Sequence, residues 1–177
     1  MLLFGLLNEK AQLTSRGKWL VKGLLFIYLC LLVYMCFWPQ HHLTTVKTPG
    51  IQHFGRIVVL LIPFNSFVNF AELRNGWEVF WVLGQNAVNI FLLFPLMLSL
   101  LILFPKIRNW QRVLYLSFGI SLAIETTQVF LDLFIDANRV FEIDDLWTNT
   151  LGGLLAFFCY FFAERKLKKF AKTEHNK

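Results

Sequence analysis

Glu125, Gln128 and Asp132 are spaced three and four residues apart, which puts them on one face of a helix, inside or at the end of an apolar run. The connection that follows holds Asp136, Arg139, Glu142, Asp144 and Asp145, and Asn149 lies within the next apolar run. Counted together, these are six acids and one base, formally −5. Ionisable groups at membrane depth cost about 2.5–3.5 kcal/mol each on insertion scales, so they face a partner, water or a substrate. Carboxylates buried together repel one another and resist ionisation, which suits one of them to general acid or base work near neutral pH. The same oxygens could hold Mg²⁺ or Ca²⁺, with Asp144 and Asp145 the candidate ligands. A cluster of this sign repels phosphate, so an anionic headgroup needs Arg139 or a metal as intermediary.

Plainer roles compete for the same residues. Asp144 can cap the helix that begins near Leu146. Asp136 and Asn138 suit a turn. Asn86, Asn89, Gln128 and Asn149 can hydrogen-bond between helices at roughly 0.6 kcal/mol each. Glu125 and Arg139 can form a structural pair. His41, His42 and His53 share one loop but lack further ligands for a metal site.

These residues need a membrane scaffold. Of 177 residues 56% are hydrophobic, with 20 Phe, which implies an all-α integral membrane protein, a bundle of four spanning helices. The spans fall at about 19–38, 77–104, 113–131 and 146–163, within a membrane domain over 19–163. Residues 1–18 read as an interfacial segment and 164–177 as a basic, exposed tail. The apolar patch Ile57–Phe67 contains Pro63 and is too short to cross, so it reads as re-entrant or interfacial, although its β-branched residues also allow a strand. Pro95 should kink the second span. Cys30, Cys36 and Cys159 lie in apolar runs with no metal or disulfide spacing.

The net charge of +6 does not mark a nucleic-acid surface, because the basic residues sit at the ends of apolar runs. Lys and Arg number 13 on the side holding both termini and the connector between spans two and three, against 4 on the other side. The positive-inside rule then places both termini in the cytoplasm and the acidic connection outside. Asn86 and Asn89, Glu125 and Gln128, and Asp145 and Asn149 thereby reach similar depth on three helices, and Gly152 and Gly153 let neighbours approach.

The segments LIPF (61–64), GQNAVNIFLLFPL (84–96), SLAIETTQ (121–128) and NRVFEIDDLWTNTLGGLLAF (138–157) resemble the VanZ-like family of small bacterial membrane proteins. The resemblance runs from about Leu60 to Tyr160 and leaves residues 1–56 outside. It marks Asn86, Asn89, Pro95, Glu125, Gln128, Arg139, Asp144, Asp145, Asn149 and Gly152 as family positions. Glu142 stands where Asp is commoner, and Leu96-Met97 follows Pro95 where Gly is frequent. The resemblance implies a bacterial cytoplasmic-membrane protein that lowers susceptibility to teicoplanin-type glycopeptide and lipoglycopeptide antibiotics. The expected mechanism is action on an envelope lipid or lipid-linked glycan in an outward-facing pocket. Glu125, Arg139 and Asp145 would be catalytic there, and Asn86, Asn89, Gln128 and Asn149 would bind substrate. The competing expectation is a binder that sequesters a lipid headgroup or the lipid tail of the antibiotic.

Overall fold

The structure, a computed structural model, describes residues 5–6, 13–40, 50–68 and 76–175. Helix α1 (Ser15–Phe37) starts where Thr14 accepts a hydrogen bond from Gly17 N at 3.2 Å, an N-cap. Strands β1 (Gln52–Phe54) and β2 (Ile57–Leu60) follow, then the single turn of helix α2 (Asn65–Val68). Helix α3 (Gly76–Leu103) stays helical through Pro95, and Ser99 Oγ donates to the Pro95 carbonyl at 2.8 Å. Helix α4 (Trp110–Ile135) is capped by Asn109, which accepts from Gln111 N and Arg112 N. Strand β3 (Val140–Glu142) leads directly into α5 (Ile143–His175).

Four of these helices are long and apolar enough to cross a membrane: Ser15–Phe37, Leu83–Leu103, Trp110–Ile135 and Ile143–Phe170. Their order makes the bundle run up and down, so the start of α1 and the end of α5 share one end of it with the connector 104–109. Arg108 marks that end, lying 3.9 Å from Glu164 and over the ring of Tyr160. The expected tail is in fact a continuation of α5, helical to His175. The bundle's interior holds Leu93, Met97, Leu101, Val113, Ile124 and Ala156. Its outside carries exposed Trp19, Phe26, Phe91, Tyr115, Phe134 and Phe158. So large an apolar belt is costly in water and is covered at no such cost by acyl chains. Cys30 and Cys159 lie in this exposed belt, and Cys36 is buried.

Over its first residues the patch Ile57–Phe67 forms the strand that its β-branched residues allow. Its first part is the middle strand of a three-stranded sheet, antiparallel to β1 and parallel to β3. The β1–β2 turn places Gly55 at φ 63°, the first turn position that a II′ hairpin reserves for glycine. Pairing of Val58 with Val140 and Leu60 with Glu142 then satisfies backbone that a lone re-entrant segment would leave bare. Most of the proposed interfacial segment, and His41 and His42, lie outside the described residues.

Helix α5 packs closely on α3. A Cβ on Gly152 would sit 1.8 Å from the carbonyl oxygen of Ile90, backbone that cannot step aside. Gly152→Ala should therefore force the two helices apart and lower stability by about 1–3 kcal/mol. A thermal melt in detergent reads this directly, and an unchanged midpoint contradicts the contact.

Candidate functional site

At the end of the bundle opposite Arg108, four helices and the sheet line a half-open cavity of about 550 Å³. Its polar wall is Gln85 and Asn89 from α3, Glu125 and Gln128 from α4, Arg139 and Glu142 from the linking segment, and Asp145 from α5. Its apolar wall includes Met35 and Cys36 of α1, Val88 and Leu92 of α3, and Ile124 of α4. The volume falls within the range of small-molecule and cofactor sites, about 300–1,000 Å³.

Glu125, Asp145 and Asp132 each have a defined hydrogen-bond partner. Glu125 is 1% exposed, and its Oε2 accepts from the backbone N of Glu142 at 3.1 Å. Asp145 Oδ1 accepts from the Asn89 side-chain amide, a bond from α3 to α5 across the cavity wall. Ser121 Oγ donates to the Asp145 carbonyl at 3.1 Å and accepts from Asn149 Nδ2 at 3.0 Å, which fixes α4 against the first turns of α5. Asp132 Oδ1 accepts from Arg139 N at 2.8 Å. Asp136, the left-handed C-cap of α4, and Asn138 sit at φ 55° and 56°.

Arg139 is 8% exposed and reaches across to α1, donating from Nη2 to the Met35 carbonyl. Among the described residues the only ion pairs are those of Glu164 with Arg108 and Lys168. The structural Glu125–Arg139 pair is therefore not formed at ion-pair distance. Burial draws Arg139's pKa below its usual value, while Asp132 and Glu125 oppose that shift. Burial also pushes the Glu142 carboxyl up to about 8, with Asp145 and Asp144 adding to the rise.

Asp144 does other work. Helix α5 begins at Ile143, so Asp144 lies in its first turn and is not its N-cap. Its oxygens accept from Phe64 N at 2.7 Å, Asn65 N at 2.9 Å and the Trp147 indole at 2.9 Å. It thus caps α2 across 79 residues of sequence and holds Phe64 at φ 56°, a left-handed backbone that a bulky residue rarely adopts. With both oxygens engaged, and with Asp145 turned toward the cavity, the two do not present a shared pair to Mg²⁺ or Ca²⁺. No group of three or more His, Cys, Asp or Glu side chains suited to a metal occurs among the described residues. Trp147 also packs on Phe64, with ring centroids 5.3 Å apart.

Of the four residues expected to bind substrate, Asn89 and Gln128 line the cavity, whereas Asn86 and Asn149 are not on its wall. Asn149 is 1% exposed and is spent on Ser121. Gln85 takes the place given to Asn86. It lies four residues before Asn89, so helical spacing allowed either partner. Cys36 and Ser121 carried no sequence signal for the site beyond a polar or polarizable atom in an apolar run. Ser121 is, however, one turn before Glu125.

A family model described as VanZ/LLP1 matches residues 25–164, most of the chain, and the chain belongs to that family. The match takes in α1 from Leu25 onward, beyond the segments that carry the sequence resemblance. No curated protein and no solved structure matches the chain.

The raised Glu142 carboxyl sets a pH dependence. The folded protein holds this proton more tightly than the unfolded chain, so its contribution is full below the ordinary carboxyl value and lost as pH rises through about 8. Thermal stability in detergent should fall between about pH 5 and pH 8, and Glu142→Gln should flatten that slope. A slope unchanged by the substitution contradicts the assignment.

Proposed function

We propose that this VanZ/LLP1 protein lowers susceptibility to teicoplanin-type glycopeptide and lipoglycopeptide antibiotics by acting on an envelope lipid or lipid-linked glycan in the acidic cavity. The observation that carries this reading is the convergence of Glu125, Glu142, Asp145 and Arg139, from separate elements, on one cavity within a bundle built for a membrane. The positive-inside rule turns the Arg108 end toward the cytoplasm and the cavity toward the outer leaflet of the bacterial membrane. A headgroup then enters beside apolar Val88 and Leu92 while its acyl chains stay in lipid.

In this reading Glu125 handles the proton. It is buried, and the Glu142 N–H fixes one of its oxygens. Arg139 contacts anionic oxygens, and Asp145, set by Asn89, orients the headgroup. A second reading, binding without turnover, is favoured by how firmly the acids are tied to N–H donors, since a fixed carboxylate also makes a good receptor. Comparing envelope lipids by mass spectrometry in expressing and deleted cells separates the two. A new or missing species supports turnover, and identical profiles support binding.

Loss of a general acid or base costs about 10²–10⁴ in rate. Glu125→Gln, at equal protein level in the membrane, should therefore bring teicoplanin susceptibility to that of the deletion strain. Unchanged susceptibility counts against Glu125 as the working group.

A further inference from the structure

Two residues that line the cavity each hold a buried polar atom without a protein partner, and the two demands are of opposite sense. Gln128 is 9% exposed, and its Nε2 donates to the Cys36 carbonyl at 3.0 Å, but its buried Oε1 has no donor. Arg139 is 8% exposed, and its buried Nε has no acceptor. Leaving a buried donor or acceptor unpaired is unfavourable, so a ligand that meets both recovers that cost. Glu125 and Asp145 each receive one protein hydrogen bond and also line the same wall.

The chemistry of the missing partner follows from what the wall refuses. A purely anionic headgroup meets Arg139 but offers no ammonium N–H to Gln128 Oε1, Glu125 or Asp145. Among the described residues Arg139 makes no ion pair, and a neutral polyol supplies none. A bare divalent cation finds no cluster of three acidic, His or Cys ligands among the described residues. A zwitterion with N–H donors answers both demands.

We propose that the cavity selects an amine-bearing phospholipid headgroup. Its ammonium N–H groups meet Gln128 Oε1 and the carboxyls of Glu125 and Asp145, and its phosphate meets Arg139. The three N–H donors matter as much as the charge, because Gln128 Oε1 needs a hydrogen to accept. This assignment rests on the reading of the cavity as a lipid site and specifies which lipid class fills it.

The test is lipid binding to the purified full chain in mild detergent, followed by native mass spectrometry. The probes are phosphatidylethanolamine, phosphatidylcholine and phosphatidylglycerol with identical acyl chains. Phosphatidylethanolamine should be retained about tenfold better than either other lipid, the usual scale of one charge-assisted hydrogen bond. Equal retention of all three, or preference for phosphatidylglycerol, overturns the proposal on the unaltered protein. Displacement of phosphatidylethanolamine by teicoplanin at equal concentration also overturns it, since the antibiotic would then be the better occupant. Gln128→Leu, checked by thermal melt, should narrow the preference for phosphatidylethanolamine over phosphatidylcholine, and a preference left unchanged in the folded variant overturns the role of Oε1. The assignment and the reading beneath it fail separately. Lost lipid preference with Glu125→Gln still restoring susceptibility removes only the headgroup class. Retained preference with susceptibility unchanged removes only the link to resistance.

Discussion

Carboxylates buried within a membrane bundle must find hydrogen atoms that water cannot supply, and here irregular backbone supplies them. Glu125 accepts from Glu142 N, Asp132 from Arg139 N, and Asp144 from Phe64 N and Asn65 N. The exchange satisfies both sides, because non-helical N–H groups at that depth are as costly to strand as the acids. It binds the segments 57–65 and 136–142 onto the helix ends, and it sets the parallel pairing of β2 with β3. Without the acids the sheet would lose its anchor, and without the sheet the acids would be unpaired.

Packing decides where the cavity lies. Gly152 brings α5 onto the backbone of α3, and the chain of Asp145, Ser121 and Asn149 fixes α5 against α4. Those three helices are therefore tightly joined on one side. Helix α1 is joined more sparely, by Tyr28 to the Leu92 carbonyl, Gln128 to the Cys36 carbonyl and Arg139 to the Met35 carbonyl. The last two bonds consume carbonyls at the end of α1, which lack helical partners of their own. The space left between α1 and the tighter trio is the cavity, and its wall is polar because the bonds that attach α1 there are polar.

The four spans were legible because apolar runs of twenty or more residues have few other uses in a chain of this composition. The acidic face of α4 was legible too, since Glu125, Gln128 and Asp132 must share a side whatever packs against it. The sheet was not. The β2–β3 pairing joins residues some 80 positions apart, and an eleven-residue apolar patch containing Pro63 looks the same whether it dips into lipid or pairs with a distant strand. The split among the amides depended on helix rotation. Gln85 and Asn86 are adjacent, and only the seating of Gly152 on Ile90 decides which of them turns to the cavity. Asp144 looked like a cap and is one, but for α2, a helix too short to announce itself in sequence.

The central claim is that the end of α1 and the acidic face of α4 line one chamber, bridged by the bond from Gln128 to the Cys36 carbonyl. Its most direct test keeps native Cys36, replaces Cys30 and Cys159 with Ser, and adds Gln128→Cys. A short bis-thiol reagent applied to membranes should bridge position 128 to Cys36 in most of the folded protein. A folded protein that gives no bridge, or that bridges only when Cys30 is retained, contradicts the chamber.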